Sequence, residues 1–500
     1  MMNRLGFNLM VALAGQALSN LQGLLVLPLV IRLAGTASYG AFVLVNTTAV
    51  VALGLIGTLT TYRYRRGLVS VDERDRRREL FEPQLTIQLI FLALLLTLTA
   101  FGDVEAWSIR WLGIPALSGP ALAAILVATF VLRQVQDYFK YTHRFLAGSV
   151  LTGARPILLF AAFCFAAITA RSLSLNDLLL VYSATTLALA LAFVPAMLAE
   201  LGAVRLRLSA SRHREDVRLG YPFAGELMLD FVLGFSDRYL ICLFMTVADV
   251  GRYQPACILG GFVIGLVTLA DAVLEPTLAR MMDQGRRREA ERLFEGYLHT
   301  FLMIAVAFAL GALMVGPSLL ALLTNDDIGE ASRFVVPLVA LGTIFYGLMR
   351  LAALVAYVVR QTRAVLTANL IGASVMVGLN LTILPWVPDL AVPAGAMAIA
   401  YALGAAHVMR ALGGAWPLRA DPLTVLRYTG AGLVMAVALW FLGFRPGTLF
   451  TGSTAILLGS VPLGAGVYFL ALAAMGGFGR KEAAFIAALF RGSSALPRAA

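Results

Sequence analysis

The sequence predicts an all-α polytopic membrane protein with about 14 transmembrane helices: two six-helix lobes plus two extra C-terminal helices. Three observations predict it. Of the 500 residues, 60% are hydrophobic and only 13% charged, and a mean hydropathy of +0.84 exceeds what a water-soluble globule buries. Apolar stretches long enough to span a bilayer recur along the chain. Basic residues gather in every second connection, as alternation across a membrane requires. Whole-chain readings as a soluble enzyme, a nucleic-acid-binding module or a disordered protein are excluded.

The stretches run over 8–31, 39–61, 83–102, 117–136, 149–169, 175–198, 219–247, 253–275, 296–323, 334–357, 364–384, 391–412, 424–443 and 452–475. The first begins like a secretory signal, but its apolar run continues to Ile31, too long for a signal core, and reads as a membrane helix. With both termini on the cytoplasmic side, thirty of the 39 Lys and Arg fall in cytoplasmic segments and six on the opposite side, with Arg155, Arg238 and Arg350 inside spans. The excess of basic residues is thereby topological, and no nucleic-acid partner is expected. All five tryptophans lie near span ends, where the headgroup layer favours them. The expected division is a six-helix lobe at 1–199, a basic linker at 200–218, a second six-helix lobe at 219–415, helices 13 and 14 at 416–475, and a basic amphipathic tail at 476–500.

Ionisable groups at membrane depth call for a reason, because each costs at least about 2.5–3.5 kcal/mol on insertion scales. The seventh span carries Glu226, Asp230 and Asp237, which at roughly 100° per residue share one stripe about 40° wide. The eighth adds Asp271. Arg155, Arg238 and Arg350, with Arg63 at the end of the second span, are the candidate cations. Together they suggest a hydrated cavity whose arginines hold an anionic group and whose carboxylates bind a coupling cation. The alternative is a set of buried ion pairs locking helices together. The spacing Gly261-Phe262-Val263-Ile264-Gly265 reads first as close helix packing and second as a hinge. Three cysteines and four scattered histidines form no disulfide framework and no metal site, and no cofactor is expected.

The turn Gly35-Thr-Ala-Ser-Tyr39 has a counterpart in Asp249-Val-Gly-Arg-Tyr253, which supports two repeated halves of six helices. With Pro28-Leu-Val-Ile-Arg32 running into Tyr39-Gly40, Tyr221-Pro222 opening the seventh span and Asp237-Arg238-Tyr239 within it, the chain resembles the Wzx-type lipid-linked oligosaccharide flippases of the MOP (MATE-like) superfamily. The resemblance implies a V of two lobes around a central cavity. It also implies alternating access and a bacterial inner-membrane location. The substrate would be an undecaprenyl-diphosphate-linked oligosaccharide, destined for O-antigen, capsule or exopolysaccharide, with H+ or Na+ coupling in some members. Membrane lipids, a polysaccharide polymerase and chain-length or export proteins are the partners it implies. Residues 63, 155, 238 and 350 would then face the diphosphate or sugar. A MATE-like exporter of drugs or metabolites is the second reading. An enzyme is disfavoured because every extracytoplasmic loop is short and the first, 33–39, carries no acid.

Overall fold

The computed structural model describes residues 2–68, 74–142, 144–208, 210–270, 274–413, 416 and 421–478. Among these the chain is helical throughout, without strands. The first half comprises α1 (Met2–Thr60), α2 (Tyr62–Leu68), α3 (Arg74–Phe101), α4 (Val104–Leu112), α5 (Gly119–Tyr141), α6 (Phe145–Thr169), α7 (Leu175–Leu201) and α8 (Ala210–Phe244). Then follow α9 (Val247–Gly260), α10 (Ile264–Leu269), α11 (Glu275–Asp283), α12 (Arg287–Leu323) and α13 (Asp326–Ala331). The last five are α14 (Val335–Val358), α15 (Thr362–Ile383), α16 (Ala391–Leu412), α17 (Pro422–Phe441) and α18 (Thr454–Ala474). Apart from a few residues at their ends, thirteen of the fourteen expected spans fall on helix, and the eighth is interrupted within. Residues of the tail beyond 478 lie outside the described residues.

The first two spans join without a loop. Gly35 alone leaves helical geometry, at φ 78° and ψ 168°, a combination essentially reserved for glycine. The break frees the Leu33 carbonyl, and the Leu173 N–H between α6 and α7 takes it at 2.8 Å. Between the third and fourth spans, in what the sequence marks only as a short loop, α4 forms. Asp103 caps its start by accepting from Ala106 N–H, and Gly113 ends it in the left-handed conformation. Trp107 and Trp111 stand exposed on it, as befits a helix lying in the headgroup layer.

By contact the chain forms two units, Phe7–Gly251 and Arg252–Ala500 with Met1–Gly6. By contact α8 belongs with the first of these units. In the N-terminal unit, Tyr64, Phe81, Tyr138, Phe139 and Leu151 form a buried aromatic core joining α2, α3, α5 and α6. A capping box on Ser174 and Asp177 opens α7 and satisfies otherwise orphaned N–H groups. In the C-terminal unit, α17 and α18 dock on α12: the Tyr468 hydroxyl donates to the Met303 carbonyl at 2.8 Å, and buried Trp416 meets Phe294 edge-on at 6.2 Å.

The eighth span corrects the sequence reading. It is discontinuous: α9 ends at Gly260, a turn occupies residues 261–263, and α10 resumes at Ile264. The Gly261–Gly265 spacing therefore marks a helix break. Backbone freed at membrane depth needs partners. The Gly260 carbonyl lies 3.3 Å from the Thr343 hydroxyl, which donates more closely to the Val339 carbonyl at 2.9 Å, and the Tyr297 hydroxyl donates to the Leu266 carbonyl, which also takes the Ala270 N–H.

Candidate functional site

Within the N-terminal unit, the second half of α1 meets α8 and the first residues of α9 at several levels. At the α9 end the approach is backbone to backbone. A Cβ placed on Gly40 would lie 2.0 Å from the Val247 carbonyl oxygen, and one on Gly251 would lie 1.9 Å from the Thr36 carbonyl oxygen. Only hydrogen fits there. Further along, the hydroxyls of Thr48 and Tyr239 bond at 2.8 Å. At the other end, just past α1, Tyr62 and Phe223 stack with ring centroids 5.4 Å apart, and Arg63 pairs with Glu215 and, at 3.5 Å, with Asp216.

The sequence-predicted residues take distinct environments along α8. Asp237 is fully buried and pairs with Arg238 at 2.6 Å, while Arg238 also donates to the Gly234 carbonyl and lies over the Phe235 ring. These two neighbours form an ion pair within one helix. Glu226 is half-buried and Asp230 exposed, so the stripe predicted by periodicity is not uniformly environed. Arg350 sits in α14 of the C-terminal unit. Asp271 lies outside the described residues.

Arg155 stands apart. It is the eleventh residue of α6, a 25-residue helix, about 15 Å from its start. Its guanidinium donates to the Tyr182 hydroxyl and lies 5.2 Å from the centre of that ring. Its Nε is buried without a hydrogen-bond partner, and among the described residues no carboxylate pairs with it.

Several polar groups escaped the sequence reading. A cavity of about 360 Å³ opens beside α2, lined by Thr60, Arg63, Arg76, Glu79, Gln84 and Asp216 among others. Behind it, three buried amides close a ring: Gln84 donates to Gln134, Gln134 to Gln88, and Gln88 back to Gln84. Gln88 donates also to Thr60 at 2.8 Å. Satisfied networks of this kind rigidify a core. Glu82, 1% exposed, accepts from the Arg205 backbone N–H at 2.8 Å and pairs with Arg207 at 3.1 Å. The polar spacing of Gln84 and Gln88 inside an apolar span was the available signal; Glu82, at a span edge, gave none.

The chain is built of membrane-length helices with charged groups among them. Solved structures with this fold include a "Lipid II flippase MurJ, inward closed conformation" (TM-score 0.72, 12% identity, covering 91% of this chain and 96% of that one). A point mutant of the Vibrio cholerae MATE transporter VcmN superposes with a TM-score of 0.58 at 15% identity, covering 83% of this chain and 98% of its own. An outward-facing multidrug resistance MATE family transporter of the MOP superfamily gives 0.51 at 14% identity, over 88% and 96% of the two chains. At these identities the likeness is one of fold. No protein-family model and no curated protein matches the sequence.

Proposed function

We propose that the protein is a flippase that carries a polyprenyl-diphosphate-linked oligosaccharide across the bacterial inner membrane by alternating access, for surface polysaccharide synthesis. The observation that carries this reading is Arg155, a cation well inside a membrane helix with an aromatic neighbour and no carboxylate partner among the described residues. A diphosphate and a sugar chain bring too many polar groups to cross hydrocarbon unaided. A guanidinium at that depth replaces part of the lost hydration, and its planar fork matches phosphate oxygens. Arg63 serves the same anion in this reading, and Glu226, Asp230 and Asp271 hold a coupling H+ or Na+, whereas Asp237 and Arg238 are committed to each other. The fold shared with a lipid II flippase supports a lipid-linked substrate.

Arg155 gives the sharpest test, because Arg238 is committed to a buried pair whose loss would confound folding. In proteoliposomes, Arg155→Gln is expected to lose translocation of a fluorescent lipid-linked oligosaccharide while keeping the wild-type melting temperature. Translocation at the wild-type rate overturns the reading. Export of organic cations by the wild type, with no movement of the lipid-linked sugar, would favour the exporter.

A further inference from the structure

The connection between α7 and α8 is not a slack linker. Residues 204–208 run extended along α3, pinned at successive points: Arg205 N–H to Glu82 at 2.8 Å, Arg207 N–H to the Thr86 hydroxyl at 3.0 Å, and the Arg207 guanidinium to Glu82 at 3.1 Å. Glu82 and Thr86 are 1% and 4% exposed. A carboxylate is costly to bury, and here the strap and its arginine supply the compensation. Alternation along an extended segment sends the side chains of residues 206 and 208 away from the edge that Arg207 uses. Leu206 and Leu208 are accordingly 66% and 72% exposed.

The charge around the strap is basic. Glu82 is also approached by Arg78 at 3.8 Å, and nearby Glu200, at the end of α7, by Arg144 at 2.8 Å and Arg77 at 3.6 Å. Each acid is thus outnumbered. Arg205 spends only its backbone N–H on the protein; its guanidinium is exposed and meets no carboxylate among the described residues. Pinning explains the buried acid but leaves two outward leucines, and beside them an exposed arginine on the alternate side of the strap, without a role.

We propose that this strap is a binding surface for anionic phospholipid headgroups, with Leu206 and Leu208 seated among the acyl chains and Arg205 on the phosphate. The combination of exposed leucines with an exposed guanidinium fits the boundary between hydrocarbon and headgroups and suits neither water nor bare hydrocarbon. The proposal does not depend on the identity of the transported substrate.

The test uses the full chain freed of Cys164, Cys242 and Cys257, with a bimane fluorophore attached at L206C. The protein is reconstituted in vesicles of equal parts phosphatidylglycerol and phosphatidylcholine, with brominated acyl chains on one lipid at a time. Both brominated lipids are expected to quench, phosphatidylglycerol more strongly. Arg205→Gln should reduce that preference about fivefold, the effect of one basic residue at an anionic surface. A label at L208C reports the same surface independently. Equal quenching by the two lipids overturns the headgroup preference, and no quenching by either at both positions overturns the surface altogether.

Discussion

At the Gly40 end of the seam that α1 forms with α8 and α9 two backbones touch, whereas at the Arg63 end long side chains reach across it. The first contact involves carbonyl oxygens that would stand 1.9 and 2.0 Å from any added Cβ. Nothing there can rotate aside. At the second end Arg63 and Glu215 keep side-chain exposures of 33% and 58%, and flexible stems can find other geometries. Between helices in a bilayer, burial of apolar surface no longer drives association, and close packing and polar contacts carry it. The same seam therefore holds an intolerant contact and a tolerant one.

The largest expected effect is at the intolerant end. Gly251→Ala and Gly40→Ala must each push helices apart, and overpacking of this kind costs about 1–3 kcal/mol or more. Gly225→Ala is the matched control, because a Cβ there meets nothing within 4 Å and helix propensity favours alanine. Thermal unfolding of the purified protein should rank Gly251→Ala and Gly40→Ala far below wild type and Gly225→Ala at or above it. Equal melting temperatures for the three would show that the backbone contact is not a constraint.

At the Arg63 end the two acids differ. Asp216 is 6% exposed, whereas Glu215 is largely in solvent. Arg63→Gln weakens the support of a buried carboxylate and should cost about 1–3 kcal/mol; Glu215→Gln removes only an exposed pair, about 0–1 kcal/mol. The order of the two melting temperatures checks this, and a larger loss for Glu215→Gln would reverse the assignment of the buried partner. Midway, Thr48→Val deletes the hydroxyl contact with Tyr239, and a polar contact between membrane helices averages about 0.6 kcal/mol. A loss as large as that of Gly251→Ala would mean that Thr48, and not the glycines, anchors the seam.

The membrane spans were legible because hydropathy and the alternation of arginines are properties of the chain itself. What eluded the sequence depended on distant partners. The carbonyl freed at the break after Gly260 is met by the Thr343 hydroxyl, which is distant in sequence. Glu82 reads as a surface acid at a span edge until Arg205 and Arg207 fold back onto it. Periodicity sets Glu226, Asp230 and Asp237 on one stripe, but angle says nothing of what stands opposite each residue. Asp237 is sealed against its own neighbour Arg238 while Asp230 is exposed. Arg155 was legible as a charge inside a span; the aromatic partner Tyr182 was not.

The smallest expected effect separates the two ends most cleanly, because it tests their physics and not their strength. Raising the ionic strength from 0.1 to 1 M shortens the screening length from about 10 Å to about 3 Å. An exposed ion pair loses most of its worth under that change, so the deficit of Glu215→Gln relative to wild type should shrink towards zero in high salt. A steric clash with a carbonyl oxygen has no ionic component. The deficit of Gly251→Ala should therefore stay constant across the same series, whatever salt does to the absolute melting temperatures. If the Gly251→Ala deficit shrank in parallel, that end of the seam would owe its closure to charge, and the distinction between an intolerant and a tolerant contact would fail.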